Sequence, residues 1–281
     1  MKSFLKTASR AVAALFAVVL VTVGVASPAF ADDVTEPITT GSITIERDGK
    51  PTGVTYDDLV TATTEAKSGD TIKLGEGNYT LYKVNSEGHT KGKDLTFEGL
   101  GTDKTAWNIG AEVPNPDNFG TEYNGDYSFD GAGTVTFKNM TMRSGSADYL
   151  GFIRANNTVV DGCVINGKTF YWGYESAEFK NTTFNAPNGD YAIWTYSSPT
   201  MTFDSCTFNA SGKVINVYTD FSAGSHDIYV NVNKCTFNSN DSKGKQALNI
   251  NDSNMGSFKY IIKFKGANTA TAGRDIKTCS Q

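Results

Sequence analysis

The sequence predicts an all-β fold made of stacked repeats, and three observations support this prediction. A phrase of eight residues recurs along the chain, the first half of each copy alternates between apolar and polar residues, and a bend follows at its fifth position. Alternation of this kind is typical of a half-buried strand. A unit that recurs about every 20–30 residues is typical of stacked-repeat proteins. The copies begin at Leu95, Val135, Thr158, Ala177, Met201, Val230 and Ile262.

The fifth position of the phrase predicts how each repeat turns. It is Gly or Asn in five of the seven copies, with Ser205 and Lys234 as the exceptions. Gly and Asn tolerate the left-handed backbone of a sharp bend. A strand, a one-residue corner and a second strand form the turn of a parallel β-helix, whose repeats pair about 4.8 Å apart. Third-position side chains should then stack in the interior, among them Phe137, Phe179, Phe203 and Val232.

Residues 1–31 are predicted to be a secretory leader. Basic residues precede an apolar run from Ala11 to Val25, and Ala29-Phe30-Ala31 fits a cleavage site of the small-x-small type. A transmembrane anchor is the alternative, although the run is short and Pro28 soon follows it. The leader predicts a secreted, extracellular protein and leaves association with a cell surface open.

The charge balance bears on the class of partner. Without residues 1–31, which include three basic and no acidic residues, the chain has 22 Lys and Arg against 30 Asp and Glu, a formal charge of −8. This acidic balance, with no basic run, argues against nucleic acid or an anionic membrane as a partner. The residues up to Gln281 include no hydrophobic tail, so membrane insertion is not expected.

The region before the repeats predicts a strand, a turn and a helix. Residues 32–54 start as a polar segment and include an alternating first strand over Ser42–Glu46, with a turn at Arg47–Pro51. A helix is predicted over residues 55–68. We assign residues 55–281 to the β-helix, with this helix as its cap.

Capping residues define the predicted ends of that helix. Thr55 is a favourable N-cap, Asp58 occupies the capping-box position, and Val54 can pack against Leu59 as a hydrophobic staple. Gly69 is placed to end the helix.

The stretch after the helix resembles a known superfamily. Gly69-Asp-Thr-Ile-Lys-Leu-Gly-Glu-Gly-Asn-Tyr79 is similar to the strand that begins the first turn of pectate-lyase-like right-handed β-helices, in which a preceding helix plugs the open end. Lys93–Gly101 is similar to the next strand and corner. The resemblance spans roughly residues 42–270 and implies a right-handed parallel β-helix, a solenoid with a short N-terminal capping helix. It implies little about activity, because one fold can carry many functions.

Catalysis is the less favoured interpretation. Enzymes of this superfamily cut acidic polysaccharides, either by calcium-assisted β-elimination with an arginine base or with a set of carboxylates. The motifs that carry these reactions in pectate lyases and polygalacturonases are absent here, and Lys138, Lys180 and Lys213 remain candidate bases. The sequence favours a non-catalytic protein, as in adhesin-like members. A polysaccharide lyase or glycoside hydrolase acting on acidic polysaccharide is the alternative.

A second alternating strand lies between successive copies of the phrase. One alignment of these strands directs Phe152, Tyr171, Ile193, Ile215 and Leu248 into the core. The next column would then face solvent, as would three tyrosines that follow it. The outward column comprises Ile153, Trp172, Trp194, Asn216 and Asn249.

The aromatic residues of this surface are the candidate binding site. Indole and phenol rings combine flat apolar faces with a polar edge, which suits the faces of sugar rings, and an exposed apolar patch often marks a binding surface. Rings that stack on each other, a register error that buries them and a covering loop are the alternatives. The predicted ligand-binding residues are Trp172, Trp194, Tyr174, Tyr196 and Tyr218.

Cysteines occupy the sixth position of three copies of the phrase. Cys163, Cys206 and Cys235 should therefore point inward, and on neighbouring repeats Cys206 and Cys235 would lie about 5 Å apart, within disulfide range. A column of small buried hydrophobic side chains is the other interpretation.

No cofactor is predicted from the sequence, and calcium is the one alternative. The spacing of His and Cys does not fit a zinc site. Asp220 and Asp227 share one loop, so their oxygens are candidate calcium ligands, and a solvated acidic loop is the alternative.

These observations together predict a secreted or surface-associated β-helix that binds a glycan or another cell-surface ligand without catalysis. A purely structural module of a surface assembly is a further alternative. An uncapped end of the β-helix would expose a strand edge, and end-to-end self-association is then expected.

Overall fold

The first half of the repeated phrase forms strands of a ten-stranded sheet. The computed structural model describes residues 41–80, 89–109, 126–144, 149–170, 172–186, 191–194, 200–210, 213–218, 227–238, 248–251 and 259–271. In spatial order, the strands of this sheet are β2 (Lys50–Tyr56), β1 (Ile43–Arg47), β3 (Thr71–Leu74), β5 (Leu95–Glu98), β8 (Thr134–Lys138), β11 (Asn157–Asp161), β14 (Ser176–Lys180), β17 (Thr200–Asp204), β20 (Ile228–Asn233) and β23 (Tyr260–Lys265).

The third-position side chains form the predicted stack in the interior. From β3 to β23 the neighbouring strands are parallel, and Phe179 pairs with Phe203, which pairs with Val232. The rings of Phe179 and Phe203 stack with centroids 5.2 Å apart. Phe137, Phe179, Phe203 and Val232 are all fully buried. The sequence-based prediction of this stack is confirmed.

The corners have the left-handed backbone that the fifth position predicts. Positive φ angles occur there in six of the seven copies, and they include the two exceptions to the Gly or Asn pattern, Ser205 (57°) and Lys234 (53°). Gly99, in the first copy, is the one fifth-position residue without a positive φ. The other left-handed corners are Asn139, Gly162, Asn181 and Gly266.

The second half of the phrase forms a parallel eight-stranded sheet. Its eighth-position rings continue the core, because Phe208 stacks on Phe184 at 4.7 Å and on Phe237 at 5.0 Å. The strands, in order, are β4 (Gly77–Thr80), β6 (Thr105–Ile109), β9 (Thr141–Ser144), β12 (Val164–Asn166), β15 (Thr183–Ala186), β18 (Thr207–Ala210), β21 (Thr236–Asn238) and β24 (Thr269–Ala270).

The segments between copies of the phrase form a third sheet, with six parallel strands. Ile193, Ile215 and Leu248 are in register on it and buried, as predicted. The strands, in order, are β7 (Asp126–Ser128), β10 (Tyr149–Arg154), β13 (Lys168–Phe170), β16 (Ile193–Trp194), β19 (Ile215–Tyr218) and β22 (Leu248–Asn251).

The N-terminal region differs from the prediction for residues 55–68. The helix α1 spans only Leu59–Glu65, and Asp58 is its N-cap, accepting a hydrogen bond from the backbone N of Thr61 at 2.8 Å. Thr55 lies instead in β2, which forms an antiparallel hairpin with β1 across the left-handed pair Asp48 and Gly49. Val54 is 48% exposed and makes no staple. The hairpin forms because Asp48-Gly49 suits a tight two-residue turn, which takes residues 50–56 away from the helix.

Two polar contacts hold this region onto the first parallel strands. Arg47 donates two hydrogen bonds to the buried carboxylate of Asp70, at 2.9 and 2.7 Å. Lys93 donates to the carbonyl oxygens of Thr63 and Thr64, at 2.9 and 3.1 Å, which satisfies acceptors at the end of α1. Burial lowers the pKa of Lys93.

The fold is therefore all-β with one short helix in the described residues, and its strands are mostly parallel and lie in stacked sheets. This arrangement is compatible with a β-helix. The described residues belong to one compact unit, residues 35–281. Within the described part of the chain we find no helix whose length and apolar character would let it span a bilayer.

Candidate ligand-binding surface

The predicted aromatic surface is only partly present. Trp172 was expected to face solvent, and this expectation is wrong, because its side chain is fully buried. Its indole packs edge-on against Phe179 at 5.1 Å, and its Nε1 donates to Thr169 Oγ1 at 3.0 Å. Its carbonyl oxygen accepts a hydrogen bond from Thr158 Oγ1.

The local backbone explains why Trp172 turns inward. Strand β13 ends at Phe170, so Trp172 lies in a corner where strand alternation no longer applies. The corner is tight, because a Cβ placed on Gly173 would lie 2.2 Å from the carbonyl oxygen of Ser176. Phe170, and not Trp172, pairs with Trp194, so the alignment used for the sequence was shifted by two residues.

The expected outward column is also partly buried. Trp194 pairs with Asn216, as the alignment predicted, but Asn216 is only 5% exposed although it was expected to face solvent. Residues 214–217 are all buried, so both sides of β19 are covered there. The backbones of Trp194 and Tyr218 lie in β16 and β19, but their side chains fall outside the described part of the structure, as does all of Tyr196.

Tyr174 is the predicted site residue that the structure does expose. Its side chain is 37% exposed, and its hydroxyl donates a hydrogen bond of 2.5 Å to Asp130 Oδ1. Asp130 precedes β8 and Tyr174 precedes β14, with β11 between these two strands. The phenol ring therefore spans one intervening repeat, whose corner carries Asn156. The hydrogen bond fixes the ring in this position.

Backbone hydrogen bonds hold the loop under this ring. Tyr174 N donates to the carbonyl of Ala155 and Glu175 N to that of Asn156, both at 2.8 Å. Asn156 N donates in turn to Ala132 at 3.2 Å. We refer to Asp130, Asn156, Tyr174 and Glu175 as the Tyr174 corner. Its scaffold is the ladder of repeats, so the exposed groups sit on a rigid support.

The Tyr174 corner carries two carboxylates that have no basic partner in the described part of the chain. The side chains of Asp130 and Glu175 are exposed. Among the described residues, no lysine or arginine nitrogen lies within 4.0 Å of either carboxylate. Sequence reasoning identified Tyr174 but missed both carboxylates. Asp130 is 44 residues away from its tyrosine partner, and no local pattern connects them. Glu175 directly follows Tyr174 in the sequence, but it belongs to no repeated pattern.

The three described cysteines are not suited to nucleophilic chemistry. Cys163, Cys206 and Cys235 are buried free thiols, so the disulfide interpretation is not what the structure contains. Burial raises the pKa of Cys163 to about 12. The hydrogen bond to the Cys235 thiol, together with burial, raises the pKa of Cys206. The three cysteines therefore pack as a column of small buried side chains, which was the alternative to a disulfide.

The candidate bases on the ten-stranded sheet belong to a column of alternating charge. Lys180 forms an ion pair with Glu178 at 2.9 Å. Lys138 lies in register with Glu98 and Asp161 on its two neighbouring strands. This alternation of sign is typical of cross-strand charge pairing. Lys73, Glu98, Lys138, Asp161, Lys180 and Asp204 make up the column.

A metal site is not assembled in the part of the chain that the structure describes. No group of three or more His, Cys, Asp or Glu there could hold a metal ion. The calcium hypothesis for Asp220 and Asp227 lies largely outside the described residues, because Asp220 is not among them. Asp227 Oδ1 accepts a hydrogen bond from Lys259 N at 3.0 Å.

Asparagines form an outward column on the eight-stranded sheet, which sequence reasoning also missed. Each side chain donates from Nδ2 to Oδ1 of the preceding one, at 2.8–2.9 Å. The signal was the recurrence of Thr-Phe-Asn-Ala at 183–186 and 207–210, just beyond the eighth position of the phrase. These amides bond to each other, so we assign the column a structural role. Asn166, Asn185, Asn209 and Asn238 form this asparagine ladder.

Comparison with known proteins adds no relative. No protein-family model, curated protein or solved structure matches this chain.

Proposed function

We propose that this chain is a right-handed parallel β-helix, capped at its N-terminal end by α1, that binds carbohydrate through the Tyr174 corner without catalysis. Three sheets of mostly parallel strands that the chain visits in turn support the β-helix, as does the resemblance of residues 69–79 to the first strand of pectate-lyase-like proteins. The predicted leader supports a location outside the cell, secreted or at the cell surface.

The exposed, hydrogen-bonded ring of Tyr174 is the observation that carries the binding proposal. A phenol ring offers a flat apolar face to the C–H groups of a sugar. The second oxygen of Asp130 can accept hydrogen bonds from sugar hydroxyls, since Oδ1 alone bonds to Tyr174. Fixing the ring beforehand reduces the entropy lost on binding, about 0.5–1.5 kcal/mol for a side chain that would otherwise be immobilised.

The test compares Tyr174→Ala with the matched variant Tyr229→Ala on a glycan array, followed by calorimetry with the sugars that bind. Tyr229 is equally exposed, at 36%, but lies on β20 of the ten-stranded sheet. We expect Tyr174→Ala to weaken binding at least about tenfold and Tyr229→Ala to leave it unchanged. Equal affinity in both variants, or no binding by the unmodified protein, would rule out this surface.

A second variant tests the role of the hydrogen bond. Tyr174→Phe keeps the ring and removes its bond to Asp130, so the ring is retained but no longer fixed. We expect an affinity between those of the unmodified protein and Tyr174→Ala. A Tyr174→Phe protein that binds as weakly as Tyr174→Ala would show that the hydroxyl, and not the ring face, makes the contact.

A further inference from the structure

We infer that the sugar recognised at the Tyr174 corner carries a free amino group. This inference rests on the proposed function and specifies its ligand class. The corner combines an exposed aromatic ring with the exposed carboxylates of Asp130 and Glu175, and no described cation pairs with either. Both kinds of group attract an ammonium ion.

Several carboxylates in the described structure have basic partners and others have none, but Asp130 is hydrogen-bonded to an exposed tyrosine ring and Glu175 follows that tyrosine in the chain. Asp70 is paired with Arg47 at 2.7 Å, Glu98 with Lys73 at 3.1 Å, and Glu178 with Lys180 at 2.9 Å. The basic residue Lys91 lies beside Gly131, where its Cγ would be 3.1 Å from an added Cβ. Its alkyl chain packs at the edge of the corner, and its ammonium forms no ion pair with Asp130 or Glu175 within the described contacts.

The chemistry of the corner distinguishes three kinds of sugar. An ammonium group within about 6 Å of a tyrosine ring is attracted to its face, and it makes charge-assisted hydrogen bonds with carboxylates. An N-acetylated sugar has the same ring but lacks the charge. A uronic acid would place a third negative charge beside Asp130 and Glu175. Affinity should therefore fall in the order amino sugar, N-acetylated sugar, uronic acid.

Calorimetric titration of the full chain with three oligosaccharides of equal length tests this order. The probes are glucosamine, N-acetylglucosamine and galacturonic acid oligomers at low ionic strength. An exposed ion pair changes affinity by about two- to fivefold, so two carboxylates should favour the amino sugar by about tenfold over the N-acetylated one. This preference should shrink at high salt, because exposed charges are screened.

A charge-neutralising variant tests whether Glu175 causes the preference for the amino sugar. Glu175→Gln should weaken binding of the glucosamine oligomer about two- to fivefold and leave the N-acetylated oligomer unchanged. Glu76→Gln is the matched control, since Glu76 is exposed and lies away from the corner, between β3 and β4. Circular dichroism confirms that both variants keep their folded state.

The outcomes separate this inference from the proposed function. If the N-acetylated oligomer binds as tightly as the amino one, or if Glu175→Gln affects both equally, the inference is overturned and carbohydrate binding stands. If uronic acid oligomers bind tightest, the inference is also overturned. If no oligosaccharide binds, both proposals fail.

Discussion

Removing the ring of Phe203 tests the stacked interior most directly. Phe203 is fully buried, stacks on Phe179 with an interplanar angle of 10°, and meets Phe208 edge-on at 5.5 Å. Its strand is paired on both sides, with β14 and β20, so the walls cannot easily close over the cavity. Phe→Ala changes in cores cost about 3–5 kcal/mol, and an aromatic pair adds about 0.5–1.5 kcal/mol. We expect Phe203→Ala to lose about 4–5 kcal/mol.

Guanidinium unfolding followed by circular dichroism measures this loss. Tyr229→Ala is the control, because it removes an exposed ring from the neighbouring strand β20 and should change the free energy of unfolding by no more than about 0.5 kcal/mol. The dependence on denaturant concentration should be unchanged in both variants. A loss in Phe203→Ala that is no larger than in Tyr229→Ala would refute a close-packed stack.

Two further predictions concern ionisable groups. Burial raises the pKa of Asp70, but the hydrogen bonds from Arg47 and from Lys67 N outweigh it and hold the pKa below its usual range. The contribution of Asp70 to stability should be complete above its unfolded pKa of about 3.9 and lost as pH falls through its lower pKa in the folded state. Asp70→Asn should therefore flatten the decline in unfolding free energy at acidic pH. An unchanged decline would contradict this prediction. Cys163, Cys206 and Cys235 are buried thiols. A thiol-reactive disulfide reagent should therefore label at most one of the four cysteines in the folded protein and all four in denaturant. Rapid labelling of two cysteines in the folded protein would contradict the burial of these thiols.

The repeated phrase allowed the interior to be predicted because its signals are local. Alternation fixes which residues face inward, and the fifth position supplies the bend even at Ser205 and Lys234, whose residue types give no sign of it. Once the phrase repeats, neighbouring strands must pair in register, because a slip would misalign Phe179 and Phe203. The pairing of strands that are distant in sequence could therefore be predicted from the local sequence pattern.

The start of the helix was mispredicted because two residues compete as its cap. Thr55 and Asp58 are both favourable N-caps, and only the hairpin with β1 decides between them. The strength of that hairpin depends on antiparallel pairing of β1 with β3, which lies about thirty residues further along the chain and is not visible in a local window.

The aromatic surface was only partly predictable because its segments vary in length. Alternation does not continue past the end of β13 at Phe170, so the direction of Trp172 depends on a corner that the sequence does not specify. A register irregularity between Tyr149 and Gly151 displaces the preceding strand as well. Such irregularities change which face a side chain occupies. The partnership of Tyr174 with Asp130 arises only after three repeats are stacked.

The asparagine ladder gives a last prediction, which depends on the direction of its hydrogen bonds. Asn166 only accepts, from Asn185, and Asn238 only donates, to Asn209. A carboxylate accepts hydrogen bonds but donates none. Asn166→Asp should therefore keep its bond and leave stability nearly unchanged. Asn238→Asp should lose its bond and set two acceptors against each other.

The two variants make a matched pair, because the same substitution occurs at the two ends of one ladder on β12 and β21. Leaving a partner unsatisfied costs about 1–3 kcal/mol, and partial exposure of Asn238 places its loss at the lower end, about 1 kcal/mol. Unfolding at neutral pH measures the difference. Acid should reduce it, because a protonated carboxyl group regains a donor. A costly Asn166→Asp beside a harmless Asn238→Asp would mean that the amides donate in the opposite direction, and equal effects would mean that the ladder does not contribute to stability through these bonds.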